Sequence, residues 1–174
     1  MIILSCDPSL TAFGWSVIEY DPATGYINLL DGGCISTKPV NKASQPKVLK
    51  TEWDNHRALE IADTLVKNIT HYSVTKIIFE NSAGSKSALA ISALALVKGV
   101  LLGIVSATNL PVSFVNPKAI KKKVGGVSST SKTIVMGIVS SKIPKFITLT
   151  AKMNKAQKEA VSDSLAVFIS EYNI

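Results

Sequence analysis

Apolar and polar positions along this chain fall into blocks of two different periods. Residues 2–6 (IILSC) form an apolar run that ends at Asp7, and the following Pro8-Ser-Leu-Thr-Ala-Phe-Gly14 is rich in turn formers. Trp15 to Tyr20 and Tyr26 to Thr37 read as strands, joined by Asp21-Pro-Ala-Thr-Gly25 as a hairpin connection. Three antiparallel strands are therefore expected to open the chain. Lys38 to Lys50 is a polar loop with Pro39 and Pro46, after which Leu59, Ala62, Val66 and Ile69 recur at helical spacing and predict a helix over about 50–71. Lys76 to Glu80 (KIIFE) reads as a short buried strand and Pro111 to Val115 as the next strand. Asn154 to Tyr172 is a helix with Ala156, Val161, Leu165 and Phe168 on one stripe and Asp163 beside it.

Between those two strands, residues 88–107 are apolar except for Ser92, Lys98, Ser106 and the glycines. Lys98 falls near the centre, where a charge costs about 2.5–3.5 kcal/mol for membrane insertion. The expectation is a buried helix of a soluble protein, with Gly99 and Gly103 marking a face where another backbone comes close. The element order is then βββαβαβα, and its alternating second half implies parallel strands with helices on the sheet faces. The fold class expected is α/β, a mixed sheet flanked by helices. Neither a repeat nor a linker interrupts the 174 residues, so a single domain spanning 1–174 is expected.

A hydrophobic fraction of 47% and a mean hydropathy of +0.29 exclude a disordered chain. The net charge of +7 favours a polyanionic partner or an anionic membrane surface, without choosing between them. The opening Met1 to Asp7 has no basic segment and meets a carboxylate early, so it does not read as a signal peptide. Cys6 and Cys34 sit in apolar runs without a CxxC pattern and read as small buried hydrophobes of a reducing compartment. A cytoplasmic location follows as an expectation.

The candidate chemistry lies at the ends of the predicted elements. Asp7 ends the first strand and Glu80 ends the first strand of the parallel half, and ligands in α/β sheets bind at carboxyl ends of strands. Asp at such a place is often only a turn former. Only twelve acids occur in the chain, however, and two of them fall at matching strand ends. Asp163 borders an apolar stripe, where a carboxylate is costly unless paired or metal-bound. Three carboxylates without an interleaved His or Cys form a hard-oxygen set suited to Mg2+, with Mn2+ as a substitute. Two such ions activate water and stabilise a leaving oxygen in phosphodiester hydrolysis.

His56 and His71 lie away from these acids and give no Ser-His-Asp arrangement, and Gly125-Gly126 lacks the rest of a phosphate-binding loop. Lys118, Lys121, Lys122, Lys123 and Lys132 make the densest basic cluster. A solvated face is the usual fate of such a run, but phosphate needs counter-charge near the acids. These five lysines, with Lys86 in the polar stretch after Glu80, are the candidate DNA contacts.

These residues resemble the RuvC family. Asp7-Pro-Ser-Leu-Thr-Ala-Phe-Gly-Trp15-Ser is similar to that family's opening Asp-Pro-Gly-Leu…Gly-Trp-Gly block. Lys98-Gly99 downstream of Glu80 is similar to its basic residue and glycine in the helix after the second acid. Lys121 to Lys132 (KKKVGGVSSTSK) resembles its pair of lysines flanking a Val-x-Gly turn, and Asp163-Ser-Leu-Ala resembles its terminal Asp-Ala-Leu-Ala. The resemblance implies a ribonuclease H-like five-stranded sheet and a homodimeric, Mg2+-dependent endonuclease. It would nick branched DNA, four-way junctions above all, in pairs and without a membrane partner. Carried over by position, Asp7, Glu80 and Asp163 are metal-binding acids, while Lys121 and Lys132 approach the scissile strand.

Two departures stand out. The family places an acid or histidine three residues before its last Asp, where this chain has Ala160. Glu159, four residues before Asp163 on a neighbouring helical track, is the candidate replacement as a fourth metal-binding catalytic acid. Pairing of Glu159 with Lys155 is the competing reading. The stretch after Glu80 also lacks the aromatic side chain that family members use at the junction centre. Two other function classes remain: a junction-binding protein without activity, which Ala160 would permit, and a phosphotransferase half-domain of the actin-like fold. The second would lack a partner domain to close over a nucleotide.

Overall fold

The computed structural model describes residues 1–36, 50–81, 87–127 and 129–174. Strands β1 (Ile2–Asp7), β2 (Ala12–Asp21) and β3 (Tyr26–Ser36) pair antiparallel in succession. Helix α1 (Lys50–Tyr72) then leads to β4 (Lys76–Glu80), α2 (Ala88–Thr108) and β5 (Val112–Val115). Strands β4 and β5 join parallel to β1, giving a mixed five-stranded sheet of order β3-β2-β1-β4-β5. Helices α3 (Pro117–Gly125), α4 (Lys132–Lys142), α5 (Lys145–Leu149) and α6 (Lys155–Tyr172) complete the described elements.

The sheet separates two apolar layers. One face carries Leu4, Cys6, Ile77 and Phe79 against α1 and α2, with Ile61, Leu65, Val97 and Leu101 buried there. The other carries Ile3, Ile18 and Ile78 against α3 to α6, where Val161, Leu165 and Phe168 are fully buried. Each such side chain contributes roughly 1.5–3 kcal/mol through burial. Helix α6 can lie this close because the sheet beneath it is lined by small residues. The Ser5 hydroxyl donates to the Ser164 carbonyl at 2.6 Å, and the Ser164 hydroxyl donates to Ser16 Oγ at 3.1 Å. A Cβ added at Gly14 would overlap the Ala160 backbone carbonyl.

Several sequence expectations are corrected here. Strand β2 begins at Ala12, three residues earlier than expected, because Phe13 is buried and Ala12 to Gly14 pair with β3. In α1 the inward track is Ala58, Ile61 and Leu65, while Leu59 and Val66 of the expected stripe are exposed. On α6, Ala156 is exposed and the inward run starts at Ala160. Cys34 is only half-buried. Helix α2 is not a buried helix: only Val97, Leu101 and Ile104 are inside. Its amphipathicity is hidden because nearly every position is apolar, so periodicity could not tell which face meets the sheet.

Helices α3, α4 and α5 were not expected. The first two have readable signals. Asn116 caps α3 by accepting from the Lys118 amide at 2.9 Å, with Pro117 in the first turn. Ser131 caps α4 in the same way, accepting from the Ile134 amide. Each helix buries just two residues four apart, Ile120 with Val124 and Val135 with Val139, too short a pattern to stand out among lysines.

Candidate active site

The two-residue alternation of the strands decides where their last side chains point. Ile3 and Ser5 of β1 face α6, and Asp7 continues that series. On β4, Ile78 faces the same layer, and Glu80 follows two residues on. The parallel register pairs Cys6 with Phe79, so one further residue sets Asp7 beside Glu80 at the carboxyl edge of the sheet. Across from them, α6 is buried continuously from Ala160 to Ser170 except at Asp163, the one half-open position of that run. The three acids line a single cavity of about 280 Å³, together with Lys121, Lys132 and Thr130. A larger hollow by α1 contains the carboxylate of Asp31, but that group is engaged by the Tyr72 hydroxyl at 2.9 Å.

The cavity crowds three acids beside two lysines. Burial pushes the Asp7 carboxyl up to about 8, with the charges of Glu80 and Asp163 adding to the rise and Lys132 opposing it. Lys132 lies at the start of α4 and reaches across to α6. Its ammonium donates to Asp163 Oδ2 at 2.9 Å and stands 3.8 Å from Glu159 Oε2. Burial works against its charge, but these carboxylates outweigh that and raise its pKa. With the Lys132 side chain 63% exposed, such a pair contributes roughly 0.2–1 kcal/mol.

The remaining candidates divide. Lys118 and Lys122 are exposed on α3 beside Lys121. Lys123 turns away from the acids and donates to the Ser170 carbonyl near the end of α6 at 2.9 Å. Glu159, the expected fourth acid, does not line the cavity, and its Oε2 stands 3.8 Å from the Lys132 ammonium. The physical reason is helix rotation: positions 159 and 160 differ by about 100°, and it is Ala160 that faces the sheet. Lys86 lies outside the described residues. Thr130 was missed by sequence reasoning. It is buried against the cavity, its hydroxyl donating to the Val127 carbonyl at 2.6 Å, and nothing in its local sequence sets it apart.

The sequence matches the family described as crossover junction endodeoxyribonuclease RuvC over residues 3–171. This chain belongs to the RuvC family. A RuvC from Endomicrobium trichonymphae is 28% identical over 141 residues, covering 81% of this chain and 68% of the relative. One from Rickettsia massiliae is 23% identical over 171 residues, covering 98% and 99%. Among solved structures, T. thermophilus RuvC in complex with Holliday junction substrate superposes with a TM-score of 0.73 at 14% identity, over 99% of this chain and 94% of that one. Fowlpox virus Holliday junction resolvase gives 0.61 at 16% identity, over 99% and 98%. These likenesses establish the ribonuclease H-like fold.

As a RuvC-family member the chain is a crossover junction endodeoxyribonuclease, a structure-selective nuclease of DNA recombination and repair. Nucleases of this family depend on a divalent metal. The acids fit such an ion in donor chemistry, since hard carboxylates line one cavity without His or thiolate. Asp7, buried and crowded by the charges of Glu80 and Asp163, is stabilised in its charged form by a nearby cation. As they stand, the described residues bring no three His, Cys, Asp or Glu side chains together as a metal-holding group. Asp163 is instead paired with Lys132.

Proposed function

We propose that the cavity between the carboxyl edge of β1 and β4 and helix α6 cleaves phosphodiester bonds of four-way DNA junctions, with Mg2+ held by Asp7, Glu80 and Asp163. The observation that carries this reading is the convergence of three acids from three separate elements on one cavity that also contains two lysines. When bound, divalent ions there supply an activated water and stabilise the leaving 3′-oxygen. Lys121, in the cavity wall, and Lys132, at its mouth, offset the charge of the arriving phosphate. Lys118 and Lys122 extend the basic surface along the exposed side of α3 and hold the strand by its backbone, without reading sequence. The whole chain, 1–174, acts as one nuclease domain in the cytoplasm.

Paired nicks on opposite strands need two such sites, and α2 offers the surface to pair them. Its outer face presents Ile91, Ala95, Gly99, Leu102 and Gly103 at helical spacing, all exposed. Among the described residues nothing lies within 4 Å of a Cβ placed on Gly99 or Gly103, which supports reading the close backbone approach suggested by their sequence as one made to a second copy. Phe114 on the edge strand is also 50% exposed. Helix α2 is also long and apolar enough to cross a membrane by length and composition. Dimerisation covers that surface without a lipid partner.

The test compares wild type and Asp7→Asn on a labelled four-way junction. Wild type nicks the junction with Mg2+ and only binds it in Ca2+, while Asp7→Asn binds and does not cut. Normal cutting by Asp7→Asn would remove Asp7 from the centre. The competing reading, a junction binder without activity, draws on Ala160 standing where relatives have an acid or histidine. Binding by wild type without cleavage in either Mg2+ or Mn2+ would establish it.

A further inference from the structure

Lys132 stands where its function and the metal's requirement conflict. Its ammonium is the immediate partner of Asp163, at 2.9 Å, while Asp163 is one of the three acids that must turn to a metal ion. Beyond Asp163, one helical turn back on α6, Glu159 stands 3.8 Å from the same ammonium and does not line the cavity. The two carboxylates are four residues apart on neighbouring positions of one helix face, so the ammonium passes between them by a small side-chain rotation. The side chain is 63% exposed, which leaves it room to move and keeps the Asp163 pair weak enough for a divalent cation to displace.

Building on the functional reading above, we infer that Glu159 is a positioning residue for Lys132, receiving its ammonium when a metal ion claims Asp163. Without metal, Lys132 is the counter-ion of Asp163 and offsets part of the repulsion among the acids of the cavity. With metal, Glu159 retains the displaced ammonium at the mouth of the cavity, on the side from which a phosphate arrives. Glu159 thus works through the lysine and touches neither metal nor substrate. This accounts for an acid at 159 that lies outside the cavity lining yet keeps its carboxylate 3.8 Å from the Lys132 ammonium.

The test is Mn2+ binding to the metal-free full-length protein at constant pH, followed by calorimetry. The variants are Lys132→Met, Glu159→Gln, Glu159→Asp and the Lys132→Met/Glu159→Gln pair, each checked for native circular dichroism. Lys132→Met removes the competitor and should tighten Mn2+ binding by up to about fivefold, the upper end of what a weak exposed ion pair corresponds to. Lys121→Met removes a charge from the same cavity without an ion pair to Asp163, and should change affinity less. Glu159→Gln should weaken binding about twofold or more where Lys132 is present, and leave it unchanged in the Lys132→Met background. Glu159→Asp should restore part of the loss. Equal weakening by Glu159→Gln in both backgrounds would mean that Glu159 acts on the metal directly, overturning the inference. Wild-type affinity in Lys132→Met would overturn it too, even with Mn2+ binding abolished by Asp7→Asn, and the three-acid reading would then stand alone. Absence of any Asp7-dependent binding in wild type would bring down both.

Discussion

At the scale of single residues, the site is a balance between carboxylates that repel one another and the cations that compete for them. Asp7 carries the clearest measure of that balance, its carboxyl raised from about 3.8 to about 8 by burial and by Glu80 and Asp163. The folded metal-free protein therefore keeps a proton that the unfolded chain releases, and stability falls as pH rises from about 4 through 8. Asp7→Asn removes this penalty, which grows by at most about 1.4 kcal/mol for each pH unit in that window. In EDTA, the variant's melting temperature should rise relative to wild type by up to roughly 15 °C between pH 5 and pH 8, given about 2–4 °C per kcal/mol for a chain of this size. Mg2+ should close the gap by stabilising wild type. A melting difference independent of pH would show that Asp7 is not held in a charge-crowded pocket. These acids were legible as strand-end and helix-border residues. The directions in which Glu159 and Lys123 point were not legible, because a helix rotation and a contact with the Ser170 carbonyl decide them.

At the scale of elements, the seat of α6 on the sheet matters most, since it carries Asp163 to the carboxyl edge where Asp7 and Glu80 wait. That seat depends on Gly14, directly opposite Asp7 in the strand pairing and directly under the Ala160 carbonyl. Gly14→Ala should force α6 outward, costing about 1–3 kcal/mol as overpacking does and reducing cleavage beyond what the stability loss explains. Gly137, mid-helix in α4 with open space around its Cα, is the contrast: Gly137→Ala should stabilise by about 0.5–1 kcal/mol. Thermal melts of the two variants check both signs, and an unperturbed Gly14→Ala would show that α6 is not seated as tightly as described. Strands β1, β4 and β5 and the extents of α1, α2 and α6 were readable from periodicity. The short α3 and α4 were masked by their lysines, each burying only two side chains.

At the scale of the whole molecule, the apolar outer face of α2 is the largest departure from what a monomer needs. Leu89, Ile91 and Leu102 are each about half or more exposed. A stable pair of subunits buries roughly 1,200–2,000 Å², and Leu102→Glu places a charge inside such a contact. Sedimentation at micromolar concentration should give a dimer for wild type and a monomer for Leu102→Glu, with paired nicking reduced to single nicks. A monomeric wild type, with and without junction DNA, would rule out this assembly. The sequence by itself determined the strand and helix alternation, the basic charge and the acids at element ends, because period, composition and local breaks are properties of neighbouring residues. Tertiary structure alone decided that three acids more than seventy residues apart share one cavity, and that Lys132 lies between two of the carboxylates of α6. It also decided that α2 keeps most of its apolar surface outside. Those outcomes depend on how the faces of distant elements are rotated against one another, and no local pattern encodes that rotation where a helix is apolar all round or buries only two residues.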